Sequence, residues 1–215
     1  LSLERRRYVQ RAIGLATEAI RAFARSATSD PDRQALRDAD AVVVFFPGPG
    51  RESWLEPGET ADPWSNYVDL APPIEGFGGA VIVNADQYHD LSSFGVLCHE
   101  FGHLLGLPEL YAPGRAAHEG IGKWGLMGQG TWVGHGNAPP HLEGWSKLHL
   151  GWADALVVDR TTVGVRVPAV TDEPLVVKIP AVPGKPWEYY LIENRRRVGF
   201  DAALPGEGLL VWHVD

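Results

Sequence analysis

Apolar residues recur at helical spacing near the start of the chain. Val9, Ile13, Ala16, Ile20 and Phe23 fall three or four apart, while Arg5, Arg11, Glu18, Arg21 and Arg25 sit mostly on other faces. This predicts an amphipathic helix over residues 3–28, packed on a sheet with its charged face in water rather than lying on a membrane. Residues 41–46, AVVVFF, form a short apolar run ended by Pro47-Gly-Pro-Gly50, a buried strand running into a loop. Residues 51–79 are rich in Pro, Gly, Trp and acidic side chains and read as one long shaped loop. A second core strand is predicted over 80–83 and a helix over 91–105, ended by Gly106 and Pro108. Residues 112–140 are Gly-rich with little regular structure predicted, and 141–150 read as a short helix. From 155 onward the period changes to that of strands. Val157, then Val163, Val165 and Val167, then residues 175–177, 189–192 and 209–212 are β-type runs between turn residues. The pattern predicts an α+β protein with a twisted mixed sheet, a backing helix and a second helix, over 1–150, followed by a β-rich part over 151–215.

The chain has 215 residues, of which 45% are hydrophobic, so a sizeable packed core is within reach. The formal net charge of -8 argues against a general nucleic-acid binder, which carries a basic stripe. Cys98 is the single cysteine, so no internal disulfide forms. No apolar run approaches the ~20 residues that span a bilayer, and the first residues lack the apolar core of a signal peptide. Leu1 is not a start methionine and Asp215 falls inside a predicted strand, so a trimmed chain whose natural form continues is the expectation.

The chemistry concentrates in Cys98-His-Glu-Phe-Gly-His-Leu-Leu-Gly-Leu-Pro-Glu-Leu-Tyr111. It contains H-E-x-x-H as His99, Glu100 and His103. On a helix, residues four apart share a face, so both imidazoles can meet one ion. Neutral imidazole suits zinc, and a carboxylate beside the first histidine suits a general base acting on a water. A surface helix with two incidental histidines is the plainer reading. Against it, Phe94, Val96, Leu97, Phe101, Leu104 and Leu105 are all apolar, which predicts a buried helix. Two His and a Glu buried there need partners, and a metal supplies them.

Gly106, three residues after the second histidine, allows a sharp turn that folds the chain back under the metal. The third-ligand position of that pattern is Glu109, where metzincins usually place His or Asp. A surface carboxylate is its plainer role. Glu119 or Glu143, with His118 nearby, are the rival ligands, as in thermolysin-like enzymes. The one methionine, Met127, lies in Trp124-Gly-Leu-Met-Gly128 and fits a Met-containing turn beneath the site, an apolar floor and not a ligand. Tyr111 is a candidate donor to an oxyanion, with simple packing on the turn as the alternative. Cys98 lies on another helix face from His99 and reads as a small buried residue. His213 has no chemical role in this pattern. Trp54, Trp64, Trp132 and Trp187 are candidates for cleft or core.

These segments together resemble the immune inhibitor A family of secreted bacterial metalloproteases. The shared strings are HEFGHLLGLPELY, GIGKWGLM, residues 145–152 (WSKLHLGW), 190–195 (YLIENR) and 204–213 (LPGEGLLVWH), so the resemblance spans roughly 40–215. It implies a metzincin-like catalytic domain, zinc held by His99, His103 and Glu109, Glu100 as general base, secretion, and protein or peptide substrates. It also implies structural calcium, for which Asp62, Asp69, Asp86 and Asp90 are candidates and none is assigned. The competing readings are an inactive zinc-binding relative and a zinc amidase acting on non-protein amides.

Overall fold

The computed structural model describes residues 3–50, 52, 64–87, 90–111 and 119–215. The chain forms two compact units, Leu1–Gly106 with His135–Asn137, and Leu107–Gly134 with Ala138–Asp215. Each unit holds one sheet, and both sheets mix parallel and antiparallel pairs, an arrangement compatible with α+β. No helix among the described residues is long and apolar enough to cross a membrane.

In the first unit, helix α1 (Leu3–Ser26) buries Ala12, Ala16 and Ile20, one stripe at i, i+4 spacing; Ala16 and Ile20 belong to the predicted face, Ala12 does not, and Val9 and Ile13 are half-buried. Phe23 departs from that expectation. It is 46% exposed, because the buried stripe drifts past it and continues at Ala27. Helix α2 (Asp30–Asp38) was not foreseen. Ser29 caps it by accepting the Asp32 N–H at 3.2 Å, and Pro31 occupies its first turn.

The sheet of this unit runs β1 (Val43–Gly50), β3 (Phe77–Gln87), β2 (Asn66–Ile74), with β3 in the centre. Residues 80–84 of β3 are all buried, as a central strand covered on both faces requires. Ala80 and Ile82 join the core with α1, while helix α3 (Phe94–Leu104) packs on β3 and β2. Strand β2 corrects the expectation of one loop over 51–79. Asn66–Asp69 pairs antiparallel with Gly79–Ile82, and the ladder shifts register before Ile74. Glu75 and Gly76, both at positive φ, close the hairpin. Pro72 and Pro73 hid this strand in the sequence, and an edge strand tolerates them.

The second unit carries helix α4 (Gly144–His149) and a four-stranded sheet in the order β4 (Asp154–Val157), β5 (Leu175–Pro180), β6 (Tyr189–Arg195), β7 (Gly208–Val214). Three of the predicted later runs, and the one at Val157, become these strands. The run at Val163, Val165 and Val167 does not. Gly164 turns there at φ +71°, and Val163 is 91% exposed. Val176 and Leu191 form a core with Trp145, Leu148 and Trp212. A Cβ at Gly144 would sit 2.9 Å from Val176, so only glycine lets α4 start this close to the sheet.

Beneath α4 lies a buried set of charges. Arg195 grips Asp201 with two hydrogen bonds, Nε to Oδ2 at 2.9 Å and Nη2 to Oδ1 at 2.7 Å. It also donates to the carbonyls of Trp124 at 3.0 Å and His141 at 3.3 Å. Glu193, Glu143 and Lys147 are buried with it. Burial pushes the Glu193 carboxyl up, against the pull of Arg195. Burial, with Arg195 adding to it, pushes the Lys147 ammonium down.

Candidate active site

Helix α3 presents an unusual face to its own unit. Its buried residues are Gly95, Val96, His99, Glu100 and Gly102. Phe94, Phe101 and Leu105, expected inside, are 41%, 38% and 39% exposed. The His and Glu side chains are thus buried together with the two glycines, while the large apolar side chains stay partly exposed. The burial of His99 and Glu100, the point that mattered chemically, holds at 7% and 9% exposure.

The rings of His99 and His103 stand edge to face with centroids 4.9 Å apart. The helix ends one residue after His103, at Leu104. The Gly106 N–H donates to the His103 carbonyl at 2.9 Å, and Gly106 takes φ +93°, a left-handed conformation that glycine accepts freely. The chain then brings Glu109 back. Donor atoms of His99, His103 and Glu109 all lie within 4.8 Å of one another. Among the described residues, this is the one set of three or more His, Cys, Asp or Glu side chains so arranged.

Glu109 is itself held. Tyr111 Oη donates to its Oε1 at 2.8 Å, so Tyr111 does more than pack on the turn. The next residue, Leu110, donates its N–H to the Met127 carbonyl at 2.9 Å and accepts from the Ile121 N–H at 3.0 Å. A Cβ at Gly120 would collide with the Leu110 carbonyl, which fixes glycine there. Met127 is fully buried in a tight turn closed by a Gly128 N–H to Gly125 carbonyl bond of 3.1 Å.

The rival ligands are placed otherwise. Glu119 is exposed. Glu143 is buried and caps α4, its Oε1 accepting the Ser146 N–H at 2.7 Å. His118, Asp62 and Trp54 lie outside the described residues. Cys98 is half-buried, and burial pushes its thiol up, away from the thiolate form a metal ligand needs. Of the calcium candidates, Asp69 accepts from Tyr67 Oη at 2.8 Å, and Asp86 and Asp90 are exposed. Trp64 and Trp187 are exposed, Trp132 is half-buried, and His213 lies against the Tyr190 ring.

Glu100 has a partner that the sequence pattern did not suggest. Its Oε2 accepts the backbone N–H of Tyr67 at 2.7 Å. Recognising β2 as a strand was the missing step. The run Asn66-Tyr-Val-Asp-Leu70 alternates burial with period two and carries that signal up to its prolines.

No curated protein matches the chain. Over residues 77–153, which hold most of β3, α3, the Glu109 segment, the Met127 turn and α4, the chain matches the family described as immune inhibitor A peptidase M6, catalytic domain, a match that supports a metallopeptidase.

Proposed function

We propose that the chain is a zinc-dependent endopeptidase of metzincin type, with His99, His103 and Glu109 as metal ligands and Glu100 as general base. The convergence of three donor atoms within 4.8 Å carries this reading. Zinc takes N and O donors at about 2.0–2.2 Å, which puts tetrahedral neighbours roughly 3.3 Å apart. Small side-chain rotations therefore suffice, and two imidazoles with one carboxylate are a donor set that zinc accepts while keeping a position open for water. When bound, zinc supplies a water of lowered pKa, near about 7, and polarises the scissile carbonyl.

The protein's own groups supply the remainder. Glu100, one residue from His99 on the same helix, takes the proton of the attacking water and passes it to the leaving amine. Tyr111 orients Glu109 through its hydrogen bond to Oε1. An extended substrate lies along a sheet edge, pairing through its backbone. In this reading residues 1–150 carry the catalytic machinery, and residues 151–215 form its β-rich companion. Secretion rests on the family resemblance.

Casein hydrolysis by the zinc-loaded protein tests the reading beside Glu100→Ala and beside a chelated sample. Activity in the wild type, lost in both controls, is the expected result, with Glu100→Ala still binding zinc. Turnover by Glu100→Ala near the wild-type rate removes Glu100 from its role. A wild type that binds zinc but leaves casein intact favours the inactive relative, or an amidase if small amides are cleaved.

A further inference from the structure

Among the described residues, strand β2 is the edge of its sheet, so half of its backbone groups point away from β3. Ser65 and Tyr67 lie two apart, and their amides both find partners outside the ladder. The Ser65 N–H donates to Glu52 Oε2 at 3.1 Å, and the Tyr67 N–H donates to Glu100 Oε2 at 2.7 Å. The second bond is short, as N–H bonds to an ionised carboxylate are, and its acceptor is buried.

Tyr67 is itself seated from two further directions. Its hydroxyl donates to Asp69 Oδ1 at 2.8 Å. Its ring covers Gly79, where a Cβ would come within 2.7 Å of the hydroxyl and 2.8 Å of Cε2. Asp69 and Gly79 are paired across the hairpin, so the ring is locked to the register of β2 on β3. A slip of one residue along this strand would turn the Tyr67 amide away from Glu100.

We propose that Tyr67 is a positioning residue, whose backbone N–H sets the carboxylate of Glu100 in its working orientation and so couples the register of the β2–β3 hairpin to turnover. The inference rests on the general-base reading of Glu100. A long glutamate side chain has several rotamers, and an oriented acceptor is worth far more to a proton transfer than one that must be gathered at each turnover. A bond that merely satisfied a buried carboxylate would matter to stability and leave the catalytic constant alone.

The test replaces the Tyr67 amide by an ester, through incorporation of the α-hydroxy analogue of tyrosine in the full chain. This removes the N–H and keeps the side chain. The expected result is a kcat lower by about ten- to a hundredfold on a fluorogenic peptide, with KM and zinc affinity within about twofold of wild type. A kcat within about twofold of wild type overturns the proposal, as does a loss shared equally by zinc affinity. Should the ester fold poorly, protein labelled with ¹⁵N-tyrosine gives a second reading. The Tyr67 amide proton is expected downfield and moves upfield in Glu100→Ala by far more than any other tyrosine amide. An unmoved resonance overturns the contact and the proposal with it. An inactive wild type instead refutes the peptidase reading, so the two failures are distinguishable.

Discussion

Arg195 offers the sharpest test of how the second unit is held together. It is fully buried, and its guanidinium makes four hydrogen bonds: two to Asp201 and one each to the carbonyls of Trp124 and His141. Glu193 Oε1 lies 3.6 Å from Nη1. Arg195→Lys keeps the charge and loses the fork. One ammonium on a shorter reach can stay with Asp201 but cannot serve both carbonyls, so about two bonds to a charged donor are lost, at about 1.5–3 kcal/mol each before relaxation. A net loss of about 2–4 kcal/mol follows, against a total stability on the order of 5–15 kcal/mol. Urea unfolding followed by tryptophan fluorescence reads it directly, because Trp212 Nε1 donates to Glu193 in the same set. With an m-value of about 2–3 kcal/mol/M, the midpoint falls by about 1 M. Arg195→Met removes the charge, leaves Asp201 without its cation and costs about 3–5 kcal/mol. A shift under about 0.3 M for Arg195→Lys, at unchanged m-value, refutes the argument and makes the buried fork energetically incidental.

Glu193 gives a pH signature. Its folded carboxyl is raised by burial, so its contribution to stability is fully present below the ordinary carboxylate range and is lost as pH rises through the raised folded value. Glu193→Gln keeps an acceptor for Trp212 and cannot ionise, so its stability relative to wild type rises as pH climbs from the ordinary carboxylate range through the raised folded value; a difference that is flat or falls with pH refutes this. Tyr111→Phe removes the hydrogen bond to Glu109 Oε1 and weakens zinc binding by about ten- to a hundredfold. Competition with a chromophoric chelator measures this without any turnover, and an unchanged affinity means that Glu109 needs no help from Tyr111.

The sequence was most legible where a period and a terminator coincided. Helix α1 and strands β3, β5, β6 and β7 each follow an apolar repeat bounded by turn residues, and α3 ends at the glycine that ends its pattern. Legibility failed where two local rules conflicted. Strand β2 carries two prolines, which argue against a strand unless the strand is at an edge, and edge position is a tertiary fact. Helix α2 has no buried residue and so no apolar stripe, and only its Ser29 cap and Pro31 could have announced it. The apolar positions of α3 misled for a related reason. Composition says that the helix meets a core, but which face turns inward is a tertiary fact, and here it is the face of His99 and Glu100 while Phe94, Phe101 and Leu105 stay partly exposed.

Several strings read separately in the sequence are one hydrogen-bonded object in the second unit. The Leu110 N–H reaches the Met127 carbonyl and the Ile121 N–H reaches the Leu110 carbonyl, which joins LPELY to GIGKWGLM. Arg195, the last residue of YLIENR, donates to the Trp124 carbonyl within that second string, and through Asp201 it meets the amide of His141. The segment that carries Glu109 is thus held by a turn, and that turn is held by a fully buried guanidinium on β6. None of these links is visible as spacing, because each joins a backbone carbonyl or the Asp201 carboxylate to a donor elsewhere in the chain. They give a physical reason for the strings to occur together: in the proposed reading Glu109, as a third ligand after a glycine turn, has little rigidity of its own, and the Met127 turn, the Trp124 carbonyl and Arg195 supply it in series. Loosening Arg195 should therefore reach the Glu109 segment through Trp124 and Met127.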